Sequence, residues 1–366
     1  MTLAAAGNTK SKGEDERREN DMSGLLFWTP WPLAHIIRII SIYQHDPPID
    51  ASSSITTAFS SRPSLESKVD TLPLATATYD IWDHVATSMG ALRAFLLACF
   101  CIYGLYGEGE DAYPAFTHRA HNLADWGWMW PILLRNMVGT FLIAVLWDIF
   151  LYFTPVFDII AHRKMNFKRP PLSQFIHDGL YTFSASASAA IIEIILCHLW
   201  ANGTLSCQTN LWETPISNML WALSITHWRL PHFHLVHRAM HPWRIERFDL
   251  GKCLYKYVHS LHHKSYNPTA LSGTSMHPVE SIIYYTACLI AVAFGCHPCI
   301  VLGCIIDCAV GAWLGHDGFL FPGVGDIFHF LHHKHFECNY GSPFPPLDKM
   351  FGTFAASKED LKLKKH

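Results

Sequence analysis

Ser281-Ile-Ile-Tyr-Tyr-Thr-Ala-Cys-Leu-Ile-Ala-Val-Ala-Phe-Gly295-Cys-His-Pro298-Cys-Ile-Val-Leu-Gly-Cys-Ile-Ile-Asp307-Cys-Ala-Val-Gly-Ala-Trp-Leu-Gly315 is apolar almost throughout. It is too long for one membrane-crossing helix, which needs about 20 residues. Glycine and proline break it at Gly295-Cys-His-Pro298, so it reads as two helical arms of a hairpin that enters a bilayer and returns. On either side stands the same pattern: His259-Ser-Leu-His262-His263 before it and His329-Phe-Leu-His332-His333 after it. A hairpin returns the chain to the face it left, which puts both patterns on one side of the membrane.

Upstream, four apolar runs are long enough to span, at about 85–106, 131–153, 180–201 and 214–231. The expected fold is all-α: an integral membrane bundle of four spans plus the hairpin, capped by histidine-rich helices. Basic residues crowd the loop between the second and third spans (Arg163, Lys164, Lys168, Arg169) and recur through 229–268 and 316–366. The loop 107–130 carries Glu108, Glu110, Asp111 and Asp125 against a single Arg119, and 202–213 has no basic residue. The basic loops are expected in the cytosol, with the histidines, and the others in the lumen. Asn202-Gly-Thr204, a glycosylation sequon, falls on the lumenal side.

Residues 1–24 are polar, with no signal-peptide core, and read as a disordered tail. Residues 25–42 read as a short interfacial helix, and the Ser/Thr/Pro-rich 44–78 as a linker. The chain thus divides into an N-terminal region, 1–80; transmembrane helices, 81–231; a catalytic unit, 232–356; and a basic tail, 357–366. The tail's Lys362-Leu-Lys-Lys-His366 is read equally well as a dilysine retrieval signal of the endoplasmic reticulum or as a solvated basic end. A formal charge of −3 gives no reason to expect nucleic acid as a partner. The eleven cysteines lie mostly inside apolar runs, where a thiol acts as a small hydrophobe, and form no disulfide framework. Cys296-His-Pro-Cys299 lacks the context of a zinc, haem or thioredoxin motif and reads as a turn.

A third box, His237-Arg-Ala-Met-His241, precedes the other two. Positions i, i+3 and i+4 share one helix face, so each box is a one-face ligand set. Eight imidazoles exceed the needs of one mononuclear site and point to a two-metal centre. An isolated His pair would be a satisfied core or surface histidine more often than a ligand; three boxes are a different matter. Neutral ligands leave the metal charge uncompensated, so nearby acids should balance it and orient the rings. Glu280, Asp307, Asp317, Asp326 and Asp348 are at hand. Asp307 stands out because an acid in an apolar run is costly and usually functional; the alternative is an interfacial acid at a helix end.

From about His232 to Phe354 the chain resembles the fatty acid hydroxylase and sterol desaturase superfamily. Besides the boxes, the likeness rests on His259-Ser-Leu-His-His-Lys-Ser-Tyr-Asn-Pro268, Ser272-Gly273, Met276-His-Pro-Val-Glu280, Gly315-His-Asp-Gly318, Asn339-Tyr-Gly341 and Asp348-Lys-Met-Phe-Gly-Thr353. The resemblance implies a membrane-bound di-iron oxygenase that hydroxylates or desaturates a lipid with O2. Its iron ligands would be His237, His241, His259, His262, His263, His329, His332 and His333, completed by His316 and His277. Glu280, Asp307, Asp317 and Asn339 would support them, His232 would be a weaker candidate ligand, and His234 and His335 would lie outside the shell. No dinucleotide or haem motif is present, so electrons from NAD(P)H would arrive through a separate b-type cytochrome and reductase. The implied location is the endoplasmic reticulum membrane, with the boxes facing the cytosol. Before box one, Leu230-Pro-His-Phe-His-Leu-Val236 lacks the Asp and Tyr-Trp of many sterol-acting relatives, so sterol and fatty acyl substrates both stay open. The rival reading is a histidine-rich metal-binding or transport protein; transporter ligands sit near the bilayer midplane, and these boxes lie outside the spans. A zinc protease would need His-Glu-x-x-His, which is absent.

Overall fold

The computed structural model describes residues 81–355, apart from 167, 244, 246, 247 and 320–326. The expected N-terminal tail, interfacial helix and linker, the basic C-terminal tail and Asp326 lie outside the described residues. Among the described residues the architecture is helical, with one isolated bridge between Lys164 and Phe319.

Helix α1 (Ile81–Cys99) runs on through a π-helical turn to Gly104. α2 (Trp126–Leu134) and α3 (Phe141–Tyr152) are joined by the π-helical turn Arg135–Thr140 into one rod. Asp125 starts it by accepting the Gly127 N–H, a charge-assisted cap. α4 spans Leu172–Ala201 and α5 spans Pro215–Ala239. After α6 (Leu250–Tyr257), the hairpin is built from α7 (Pro278–Tyr285), a 3-10 turn, α8 (Leu289–Ala293) and the return arm α9 (Pro298–His316); α10 (Ile327–His335) follows.

Among the described residues, four helical runs are long and apolar enough to cross a membrane: Thr87–Gly104, Trp126–Tyr152, Leu172–Ala201 and Pro298–His316. Three match expected spans. The expected fourth, 214–231, belongs instead to α5, which is helical but carries His227, Arg229, His232, His234 and His237 and continues into box one. Its place is taken by the hairpin's return arm, 19 residues long. The break at 295 is as expected: Gly295 adopts φ +62°, a conformation that side chains disfavour. His297 then caps α9 by accepting the Cys299 N–H, and Pro298 takes the first helical position.

α9 fills the centre of the bundle. Ile300, Cys304 and Ile305 pack with Phe95 and Ala98 of α1 and with Ile225 of α5. The core is rich in Ala and Cys, and Gly303 lies against Ile225 and the Phe95 backbone; small residues let backbones approach closely. Outward, Leu96, Leu146, Ile176, Leu180 and Ile195 are exposed, as lipid-facing side chains would be.

The two ends of the bundle are chemically distinct. At one, Tyr103 meets His297, His198 donates to the Ala120 carbonyl, and the Gln208 N–H donates to Gly295. This gathers the acidic loop, the sequon loop and the hairpin turn. At the other, the Met165 N–H donates to the Gly318 carbonyl and Lys164 Nζ to Asn267 Oδ1, which joins the basic loop to the segment after box two and to the turn after α9.

Candidate metal centre

Box one closes α5: His237 is its last-turn histidine, and His241 sits in the turn just beyond. Box two lies on a 3-10 helix, His259–Lys264, and box three on α10. The eight box histidines and His316 are all buried and form two groups. The first holds His237, His241, His259, His263 and His332; the second holds His262, His316, His329 and His333. Each His-x-x-His-His box therefore divides between the groups, two rings one way and one the other. This departs from the expected one-face sets, and it is what fastens the groups together: the His263 and His333 rings lie 4.9 Å apart.

The second ring nitrogens decide which atoms face inward. Nδ1 of His237 lies 2.5 Å from the Tyr340 carbonyl, Nδ1 of His332 2.6 Å from that of Cys338, Nδ1 of His316 2.7 Å from that of Ala312 and Nδ1 of His262 3.3 Å from that of Ser275. A carbonyl only accepts, so these Nδ1 atoms carry the proton and each Nε2 has a free lone pair. Nδ1 of His259 faces Glu280 Oε1 at 2.7 Å with the same effect. In the first group the Nε2 atoms of His237 and His259 are 3.0 Å apart, those of His259 and His263 3.0 Å, and those of His263 and His332 3.2 Å. In the second, His316 and His333 approach to 3.0 Å. Converging lone pairs repel one another. A metal bonding nitrogen at about 2.1 Å holds its ligands roughly 3.0–3.4 Å apart, the spacing found here.

Burial and the neighbouring imidazoles hold His237, His241, His263, His329 and His333 well below the ordinary histidine range. Burial brings His259 and His332 down to about 3. The rings are neutral at any physiological pH, as ligation requires, and both groups suit a transition metal.

Of the expected supporting residues, Glu280 touches a box ring. Asn339 works at one remove: its Nδ2 donates to the Phe328 and Ala355 carbonyls, and its Oδ1 accepts the Ala355 N–H, which clamps the start of α10 to the closing segment. Asp317 Oδ1 accepts the Phe319 N–H and shapes the turn after α9. Asp307 is elsewhere, paired with Arg229 and Thr226. His277 lies outside both groups, where it caps α7 by accepting the Val279 N–H. His232 bonds Thr286, and His234 faces Asp348. Asn202 is exposed at the opposite end, its Oδ1 bonded to Thr204.

Sequence reasoning passed over Asp178 and Asp148. Asp178 of α4 accepts hydrogen bonds from Ser265, Ser272 and Ser275 and so fixes the loop that carries box two. Asp148 of α3 accepts the Ala270 and Leu271 N–H groups of the same loop. Asp148 is an acid inside an apolar run, the signal that singled out Asp307, whereas Asp178 stands two residues ahead of one.

Residues 221–353 match the model of the fatty acid hydroxylase family. The chain carries a fatty acid hydroxylase domain. It is 30% identical over 142 residues to methylsterol monooxygenase 1 of Gallus gallus, which covers 35% of this chain and 45% of that protein. It is 31% identical over 126 residues to a Delta(7)-sterol 5(6)-desaturase of Gibberella zeae, covering 32% and 39%, and 30% identical over 137 residues to cholesterol 25-hydroxylase of Homo sapiens, covering 33% and 45%. The chain spans less than half the length of these curated relatives. No solved structure matches it. The fatty acid hydroxylase domain takes in all three boxes, His316 and most of α5, so the hairpin and metal centre lie within it while α1 to α4 lie outside.

A cavity of about 70 Å³, partly open to the outside, adjoins both groups. Phe233, Met240, Met276 and Tyr284 give it apolar walls, His237, His262, His316 and His329 face it from the metal centre, and Arg229 borders it on α5.

Proposed function

We propose that this protein is a membrane-bound di-iron oxygenase that hydroxylates or desaturates a sterol-type lipid, with O2 and externally supplied electrons. One observation carries the reading: two abutting groups of buried, neutral imidazoles open onto an apolar cavity at one end of a membrane-type bundle. The sterol class is favoured because methylsterol monooxygenase, sterol desaturase and cholesterol hydroxylase are among the relatives.

The ligands would be the nine grouped histidines. Iron held there would supply the activation of O2 that oxidation of an unactivated C–H bond demands. The rest falls to the chain. Backbone carbonyls and Glu280 orient the rings, Glu280 offsets positive charge, and Phe233, Met240 and Met276 keep the cavity dry. Electrons would come from NAD(P)H through a b-type cytochrome and its reductase, docking at the basic end. That end would face the cytosol from the endoplasmic reticulum membrane, and Asn202 would face the lumen.

The test is to purify the protein, measure bound metal, and follow NADH-driven O2 consumption with the reductase chain and a lipid extract. Iron near two per chain with an oxidised sterol product is expected. Zinc alone, with no lipid-dependent product, refutes the oxygenase and leaves a metal-binding or transport role. Protection of the C-terminal tail from protease in sealed microsomes would reverse the assigned sides.

A further inference from the structure

Arg229 is a buried cation in the middle of α5, and its surroundings are specific. Its Nε donates to Asp307 Oδ2 at 2.5 Å, and the Thr226 hydroxyl donates to the same oxygen at 3.0 Å. The outer edge of the guanidinium lies over Gly311 of α9. A Cβ there would come within 2.7 Å of Nη2, so the missing side chain makes the room the group occupies. Arg229 and Gly311 both border the cavity that reaches the histidines. A guanidinium has five N–H donors. Nε is committed to Asp307, and Nη2 lies against Gly311, which borders the same cavity.

Charge narrows what they can bind. Asp307 already neutralises Arg229, so a second anion would arrive at a neutral pair and lose its hydration without a matching gain. A neutral oxygen acceptor loses far less on desolvation. Position narrows it further. Arg229 and His237 are eight residues apart on α5, so their backbone positions stand about 12 Å apart along the axis at 1.5 Å per residue.

We propose that Arg229, held by Asp307, anchors the 3-hydroxyl of the sterol substrate, and that the carbon oxidised lies far from that hydroxyl, toward the side-chain end of the molecule. This rests on the oxygenase reading for the reaction, while the binding claim can be tested without turnover. It distinguishes this site from one acting on carbons beside the hydroxyl, and it disfavours free fatty acids, whose carboxylate would meet the neutral pair.

The experiment compares equilibrium binding of cholesterol and its 3-deoxy analogue cholest-5-ene to the full-length, metal-loaded protein. It uses wild type, Arg229→Lys, and the charge-neutral double variant Arg229→Gln with Asp307→Asn. Wild type should bind cholesterol at least about tenfold more tightly than the analogue. The double variant should lose that preference and keep its metal content; Arg229→Lys, which retains a charge but not the planar fork, should keep part of it. Equal binding of the two probes by wild type, or a preference that survives in the double variant, overturns the proposal. Mass spectrometry of the oxidised product supplies the second readout: oxidation at carbons flanking C3 overturns the placement. If cholesterol preference depends on Arg229 but no lipid is oxidised, the oxygenase reading fails and the anchor stands.

Discussion

Nδ1 of His259 lies 2.7 Å from Oε1 of Glu280, and both side chains are almost fully buried. A carboxylate behind a ligating imidazole fixes the tautomer, raises the ring's basicity and balances metal charge at short range. Glu280→Gln keeps an acceptor for Nδ1–H and removes the charge. It should lower metal affinity by about 10- to 100-fold with little change in fold. Metal retained against a graded chelator, alongside circular dichroism, reads this out; unchanged retention would mean that Glu280 is only a hydrogen-bond partner.

His316 and His277 are both candidate ligands, and the structure separates them. His316 stands in the second group with its Nε2 3.0 Å from that of His333, whereas His277 caps α7. His316→Ala should leave a three-histidine second group and reduce bound metal from about two per chain toward one, sparing the five-histidine group. His277→Ala should keep both ions and lose only a helix cap, roughly 1 kcal/mol. Metal-to-protein ratios of the two variants decide the matter.

The boxes were legible because three to five residues of local sequence suffice to define them. The hairpin was legible because Gly295 and Pro298 interrupt an apolar run too long for one helix. The division of boxes two and three between two groups was not, because it depends on box two winding as a 3-10 helix and on how α10, which follows the hairpin, meets it. A window of apolar residues likewise ended the fourth span at 231, although the backbone of α5 continues to Ala239. Helix geometry does not stop where polarity begins. Asp307 was recognised as unusual, but its partner Arg229 is 78 residues away in the chain, a pairing that no local pattern encodes.

Lys164 belongs to the basic loop between the second and third expected spans, yet it is buried, its Nζ donating to Asn267 Oδ1 at 2.9 Å. Burial brings its pKa down from the usual 10.5 to about 7. The unfolded chain therefore holds a proton that the folded protein has given up between about pH 7 and 10.5. Stability should rise with pH across that window and be lowest below it. Lys164→Met should flatten the dependence. Thermal unfolding in detergent between pH 7.0 and 9.5 measures both slopes, and parallel slopes for wild type and variant would contradict the assignment.

Asp178 receives the hydroxyls of Ser265 at 2.6 Å, Ser272 at 2.7 Å and Ser275 at 3.0 Å. All three serines lie on the loop that leaves box two, and the Ser275 carbonyl is in turn the acceptor for His262 Nδ1. The path from the membrane helix α4 to a ring of the second group is thus two hydrogen bonds long. Asp178→Ala strands buried hydroxyls and should cost on the order of 3 kcal/mol. Because Ser275 moves with the loop, the variant should also hold its second metal more weakly. Asp178→Asn preserves the volume but sets an N–H against donors that need an acceptor, so it should fall between wild type and Asp178→Ala in both respects. Unfolding temperature and metal stoichiometry measured on the same preparations separate the two effects. If stability drops while both ions stay bound as tightly as before, the loop anchors the fold without positioning His262.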